Sequence, residues 1–184
     1  ACEVPGIDDI FVATDDKRIA QAVWDFGGQV IMTSDTCRNG TERVAEALQG
    51  LATRADIVVN LQGDAPLTPP WLITHLMAEM KRAHAIPMAT PVLKCVGYSL
   101  NLFLEDRRNG KVGGTTAVFD NNCDALYFSK EVLPFTDKLY LGDAQSPVYH
   151  HVGAYAYRPK ALAQYLGWPE GVLETLEGLE QLRF

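Results

Sequence analysis

The stretch Asp56-Ile57-Val58-Val59-Asn60-Leu61-Gln62-Gly63-Asp64-Ala65-Pro66 decides the fold class. Its first half is a continuous apolar, β-branched run of the kind buried on both faces of a parallel sheet. It then ends abruptly in an amide, a glycine and a carboxylate. Upstream, Ile10-Phe11-Val12-Ala13-Thr14 is a second β-rich run, closed by Asp15-Asp16, and Arg18 to Phe26 places Ile19, Ala22, Val23 and Phe26 at helical spacing. Gly27-Gly28 stops that helix, Val30-Ile31-Met32 is a short strand, and Thr41 to Leu51 carries Val44, Ala47, Leu48 and Leu51 on one helical face. Downstream, Pro69-Pro70 opens a third helix running through Arg82, because proline is accommodated in a first turn. Met88 to Leu93 reads as a fourth strand. This alternation predicts an α/β chain whose parallel-dominated sheet has right-handed crossovers and helices on both faces.

Beyond residue 95 the rhythm changes. Thr115 to Asp120 and Ala125 to Ser129 are β-like runs around Asn121-Asn122-Cys123-Asp124, a turn composition that predicts a hairpin. Val148 to Tyr157 reads as one further strand, followed by helices near Lys160 to Leu166 and Leu173 to Arg183. Residues 97–114 and 136–147 read as loops. With no internal repeat or linker, residues 1–184 are expected to form one domain, with a β-rich subregion over 124–157.

The composition suits a water-facing globular chain: of 184 residues, 47% are hydrophobic and 21% charged, and the net charge is −7. Such a chain buries about 70% of its unfolded surface and needs no disulfide or metal staple. The acidic balance, without a Lys/Arg cluster, argues against nucleic-acid and anionic-membrane partners. Apolar runs fall well short of the ~20 residues of a membrane-spanning helix, and the opening residues lack a signal-peptide pattern, so a cytoplasmic location is expected. Cys2, Cys37, Cys95 and Cys123 are scattered without metal-binding or redox spacing and read as ordinary thiols.

In open α/β sheets, ligands bind beyond the carboxyl ends of the strands. Asn39-Gly40-Thr41-Glu42-Arg43 follows a strand and opens a helix, so its free N–H groups can hold an anion or a sugar hydroxyl; the alternative is an ordinary helix start capped by Asn39 or Thr41. At Gln62-Gly63-Asp64, the carboxylate is placed to hold a hard cation such as Mg²⁺, and Gly63 lets the backbone approach a ligand; the alternative is that Asp64 caps the turn before Pro66. On a strand, His151, Gly153, Tyr155 and Tyr157 share one face, which suits a polyhydroxylated ligand or, equally, aromatic cross-strand pairing. His150 and His151 point oppositely and make a poor metal pair. Glu174, Glu177 and Gln181 form a helical row that ordinarily is a solvated face.

Taken together and in order, these phrases resemble one family, the CMP-Kdo synthetases, which activate 3-deoxy-D-manno-octulosonate. The matching phrases are Val12-Ala13-Thr14-Asp15-Asp16, Met32-Thr33-Ser34, Asn39-Gly40-Thr41-Glu42-Arg43-Val44-Ala45-Glu46, Val58-Val59-Asn60-Leu61-Gln62-Gly63-Asp64, Met88-Ala89-Thr90, Ala125-Leu126-Tyr127-Phe128-Ser129, His151-Val152-Gly153-Ala154-Tyr155-Ala156-Tyr157 and Leu179-Glu180-Gln181-Leu182-Arg183. The resemblance implies a Rossmann-like nucleotidyltransferase fold. It also implies transfer of CMP from CTP to the sugar acid with release of pyrophosphate, as a step of lipopolysaccharide synthesis, with Mg²⁺ as cofactor and a homodimer packed through the β-rich subregion. Carried over by position, Asp64 is a metal ligand and, with Gln62 and Lys130, part of the catalytic set. Asn39, Gly40, Thr41, Arg43 and Gln62 line the CTP pocket, and His151, Tyr155, Glu180, Gln181 and Lys130 line the sugar site.

The sequence also departs from the family. A basic, glycine-containing phosphate loop at the start, and a strand with a second metal-binding Asp at the end, are expected of the family and are not in this sequence, which reads as incomplete at both ends. Lys130 stands where the family has Arg, which keeps charge but loses bidentate geometry. Ala65 replaces Glu, Asn39 replaces Ser, and Thr116 replaces Lys in the altered stretch Gly110 to Thr116. Phe119-Asp120-Asn121-Asn122 and Pro147-Val148-Tyr149 resemble the branch acting on the 8-amino analogue. Two rival readings follow: a non-catalytic, nucleotide-binding remnant, and a nucleotidyltransferase for another sugar acid.

Overall fold

The computed structural model describes residues 2–51 and 55–184. In chain order the elements are β1 (Phe11–Thr14), α1 (Lys17–Asp25), β2 (Gln29–Met32), α2 (Gly40–Gln49), β3 (Val58–Leu61), α3 (Pro70–Arg82), β4 (Met88–Ala89) and β5 (Val92–Val96), then α4 (Gly97–Arg108), β6 (Thr115–Phe119), β7 (Ala125–Ser129), β8 (Gln145–His151), β9 (Ala154–Tyr157), α5 (Pro159–Tyr165), α6 (Val172–Glu177) and a 3₁₀ turn, Glu180–Arg183. They group into two compact units. The first spans Ala1–Ala89, Gly153–Pro169 and Phe184; the second spans Thr90–Val152 and Glu170–Arg183.

In the first unit β1 and β2 are parallel, Phe11 opposite Gln29 and Thr14 opposite Met32, with α1 as the crossover. Asp16 caps α1 by accepting the Arg18 N–H at 2.7 Å, and Gly27, at φ +79°, ends the turn that follows the helix. The second sheet has the order β3-β9-β4, and β9 runs antiparallel to both neighbours. Among the described residues the parallel-dominated sheet expected from the sequence therefore reduces to the β1–β2 pair, and most strand pairing is antiparallel. An apolar run reports burial on both faces but not direction. Only a βαβ crossover enforces a parallel neighbour, and β3 takes its partner from a strand nearly a hundred residues later. Ala45 of α2 packs with Tyr155, Tyr157 and Leu162, flanked by Val44, Leu48, Val58, Met88 and Phe184. Leu72, Ile73, Leu76, Met77 and Met80 give α3 its buried face.

The second unit is an antiparallel sheet of order β5-β8-β6-β7 over a core of Cys95, Leu100 and Val148. The β6–β7 hairpin forms as expected, and Asp120 Oδ1 holds its turn by accepting the N–H groups of Asn122 and Asp124, each at 2.9 Å. Four expectations need correction here. Residues 97–108 are not loop but α4, because Leu100, Phe103 and Leu104 recur at helical spacing and pack on Cys95 and Val148. Gly97 opens this helix where a Cβ would lie 2.6 Å from the Tyr140 backbone, so the segment before β8 rests directly on it. The strand expected over 88–93 divides at Thr90-Pro91, where proline has no N–H for a ladder. The strand expected over 148–157 divides at Val152-Gly153, and the helix expected over 173–183 divides at Gly178, whose φ of +60° is left-handed.

Candidate functional site

In the first unit, the strands end in Asp15-Asp16, Thr33-Ser34 and Gln62-Gly63-Asp64, and α2 faces the first two of these ends. Asn39 is indeed its cap: the side chain accepts the Glu42 N–H at 2.8 Å and donates to the Tyr165 hydroxyl at 3.3 Å. One turn on, Arg43 donates to Thr33 Oγ1 at 2.6 Å and to Asp15 Oδ2 at 3.2 Å, which ties the helix to the carboxyl edge of both parallel strands. Thr41 is fully buried, its hydroxyl 2.9 Å from that of Tyr157. Glu46 accepts the Ser34 N–H at 2.6 Å and the Cys37 thiol at 3.1 Å. Burial, with Glu46 beside it, pushes the Cys37 thiol up to about 11, so it stays protonated. All four cysteines are free.

Past β3, the Gln62 carbonyl accepts the Ala65 N–H at 3.2 Å and closes the turn that carries Asp64. Gln62 is half-buried and Asp64 exposed. Among the described residues no side chain bonds the Asp64 carboxylate, and no group of three or more His, Cys, Asp or Glu side chains is arranged to hold a metal. One exposed carboxylate at a strand end still fits Mg²⁺, which takes one or two protein carboxylates and keeps water and substrate phosphate as its other ligands.

In the second unit the candidate sugar residues gather around β7. His151 is 5% exposed, its ring 4.9 Å from that of Phe128. Thr90 gives its hydroxyl proton to the Val152 carbonyl and so accepts from His151 Nε2 at 2.9 Å, which leaves Nδ1 to accept from Thr115 Oγ1 at 3.1 Å. Burial, with His150 adding a little, pushes the His151 pKa down to about 4, so the imidazole is neutral. His150 points the other way, its ring 5.1 Å from that of Phe103. Lys130 follows β7, and the 3₁₀ turn bearing Glu180 and Gln181 packs on the same strand. Gln181 is 4% exposed, and its Nε2 has no partner among the described residues. Such an orphan donor is costly unless a ligand or water completes it. Tyr155 lies instead in the first unit's core, stacked on Tyr157 at 5.9 Å. The strand expected to carry His151, Gly153, Tyr155 and Tyr157 is interrupted at Val152-Gly153: Tyr155 and Tyr157 share a face of β9, and His151 belongs to β8.

Sequence reasoning missed the acidic residues of α6. Glu174 and Gln181 are each 4% exposed, so the expected solvated row is largely internal. Glu174 accepts from Arg183 Nε at 2.7 Å and pairs with its Nη2, and it also accepts the Gly171 N–H at 3.2 Å. The Gly171-x-x-Glu174 capping pattern was the available signal. Glu177 accepts three hydrogen bonds from the end of β7. Thr116, in the position of the family's Lys, is buried; it donates to the Glu131 carbonyl and accepts the Leu133 N–H. No helix among the described residues is long and apolar enough to cross a membrane.

A family model described as Cytidylyltransferase matches residues 1–184. The 3-deoxy-manno-octulosonate cytidylyltransferase of Maricaulis maris is 44% identical over 183 residues, covering 100% of this chain and 70% of the relative. The enzyme of the same name from Chlamydia trachomatis serovar L2 is 40% identical, covering 96% and 65%. The 8-amino-3,8-dideoxy-manno-octulosonate cytidylyltransferase of Shewanella pealeana is 44% identical, covering 97% and 69%. The chain thus spans about two thirds of the length of the curated relatives it matches. A solved structure of CMP:2-keto-3-deoxy-manno-octonic acid synthetase complexed with CTP aligns with a TM-score of 0.83 at 35% identity, over 99% of this chain and 69% of that one. The chain therefore belongs to the cytidylyltransferase family, alongside enzymes named for 3-deoxy-manno-octulosonate and for its 8-amino-3,8-dideoxy analogue.

Proposed function

We propose that the protein transfers the cytidylyl group of CTP to the anomeric hydroxyl of 3-deoxy-manno-octulosonate, releasing pyrophosphate, for lipopolysaccharide synthesis. The observation that carries this reading is the whole-chain match to enzymes of that name, combined with an exposed carboxylate, Asp64, that no described side chain bonds, just past the end of β3. The sugar oxygen forms its bond to the α-phosphorus as the bond to the pyrophosphate oxygen breaks. A protein nucleophile is not needed, and positioning and charge neutralisation carry the rate.

Asn39, Gly40 and Thr41 offer the start of α2 to the nucleotide, Arg43 adds a positive charge at the same edge, and Gln62 contributes its amide beside Asp64. Asp64 would hold Mg²⁺, which when bound neutralises triphosphate charge. Lys130 would pair with the sugar carboxylate, and Glu180 and the orphan amide of Gln181 would bond its hydroxyls, while His151, held between Thr90 and Thr115, would line the pocket as a neutral ring. The reading includes a cytoplasmic location, where CTP is available, and a homodimer. The dimer is supported by Leu126, Phe135, Leu139 and Leu141, which are 64–89% exposed in the second unit. Phe128 and Val148, in the same β-rich stretch, are buried within the chain.

Mass spectrometry of the protein incubated with CTP, Mg²⁺ and the sugar acid tests the reading, with the 8-amino analogue and other sugar acids in parallel. A CMP-linked octulosonate is the expected product. A preference for another acid would reassign the substrate, and CTP binding without product would favour the non-catalytic nucleotide-binding protein.

A further inference from the structure

Glu177, the last residue of α6, sits over the end of β7. Its Oε1 accepts from the Tyr127 hydroxyl at 2.9 Å and from Ser129 Oγ at 2.7 Å, and its Oε2 accepts the Lys130 N–H at 2.8 Å. Tyr127 and Ser129 are two residues apart on one face of the strand, so a single carboxylate collects both hydroxyls and the next free amide. Burial alone would raise the Glu177 carboxyl, but the Lys130 N–H and the two hydroxyls hold it below its ordinary value, so it is the charged form that is anchored. Gly178 follows in the left-handed conformation, and a Cβ built there would lie 2.9 Å from Lys130 Nζ. The Lys130 backbone and the surface along which its ammonium runs are thus fixed by two consecutive residues, Glu177 and Gly178. That is not the environment of a solvated helical glutamate.

Resting on the sugar-acid reading of Lys130 given above, we propose that Glu177 is a positioning residue that aims Lys130 at the carboxylate of the sugar acid. It touches neither substrate nor metal; it sets where the Lys130 ammonium points. Its loss weakens the sugar acid and leaves CTP unaffected.

Isothermal titration of the full 184-residue chain with 3-deoxy-manno-octulosonate, and separately with CTP, tests this with K130A, E177A, E177Q and K130A/E177A. K130A is expected to weaken the sugar acid about 10-fold or more, the loss of one charge-assisted contact, and E177A by about as much. E177Q can accept the Lys130 N–H while its amide donates to the two hydroxyls, and it stays within about 3-fold of the parent. The double variant is no more than about 3-fold weaker than K130A, because Glu177 acts through Lys130. Should circular dichroism show E177A unfolded, E177D replaces it in the same cycle, since it draws the carboxylate back by one methylene. Unchanged sugar affinity in E177A beside a weakened K130A overturns the proposal, as do fully additive losses or an E177Q as weak as E177A. No binding by the parent chain, or an inert K130A, overturns the sugar-acid reading itself, and the proposal with it.

Discussion

Acidification probes the site through His151. In the folded protein this imidazole is 5% exposed, with a threonine hydroxyl at each nitrogen and a pKa near 4 against an ordinary 6.5. The unfolded chain binds a proton at 6.5 that the folded chain refuses until about 4, so stability rises with pH across that window. It is complete above about 6.5, falls as pH drops towards 4, and is flat below. At 1.36 kcal/mol per unit, about 2 kcal/mol is lost on going from pH 7 to pH 5. Ordinary carboxylates have barely begun to titrate there, and His150, also lowered by burial, adds in the same direction. Urea unfolding of the parent and of His151→Gln at pH 7 and pH 5 measures this: the variant should lose most of the pH dependence, whatever its absolute stability. The histidine ring proton followed by NMR gives the titration directly. A midpoint at 6 or above, or an equal pH dependence in both proteins, would refute the reasoning.

Two further expectations concern the second unit. Arg183→Met strips the guanidinium from Glu174, a pair whose side chains are 3% and 5% exposed, and should cost about 3–5 kcal/mol in urea unfolding, because a buried carboxylate is left uncompensated; a loss under about 1 kcal/mol would mean that water replaces the arginine. Phe135→Asp, at a side chain 89% exposed, should halve the mass seen in light scattering at micromolar concentration with little change in stability. A parent chain that is already monomeric would remove the dimer from the account.

Much of the first unit was legible because its signals are local. Asp16 before an apolar helical stripe, Asn39 before Gly40-Thr41-Glu42, and the Pro69-Pro70 start are short-range chemistry that tertiary packing did not overrule. What the sequence hid was direction and partnership. The Val58–Leu61 run fits an antiparallel neighbour as well as a parallel one. Leu100, Phe103 and Leu104 announced α4, but Gly97 and the Asn109-Gly110 end read as loop and outweighed them. Glu177 sits in a row that looks solvated, and only its distant partners Tyr127, Ser129 and Lys130 reveal it as internal. Asn39 caps α2 and Arg43 lies one turn on, as the motif predicts, and the catalytic role proposed for Gln62 and Asp64 rests on order along the chain rather than on any one residue.

The most direct test of the account is pyrophosphate release by the protein with CTP, 3-deoxy-manno-octulosonate and Mg²⁺, measured beside Asp64→Asn. The exposed Asp64 carboxylate is the proposed metal ligand, and neutralising it removes several kcal/mol of charge stabilisation, so the variant should be slower by about 100-fold or more. Release should require both the nucleotide and the sugar acid. Release that proceeds without the sugar acid, equal rates for the two proteins, or no release from the parent would contradict the account.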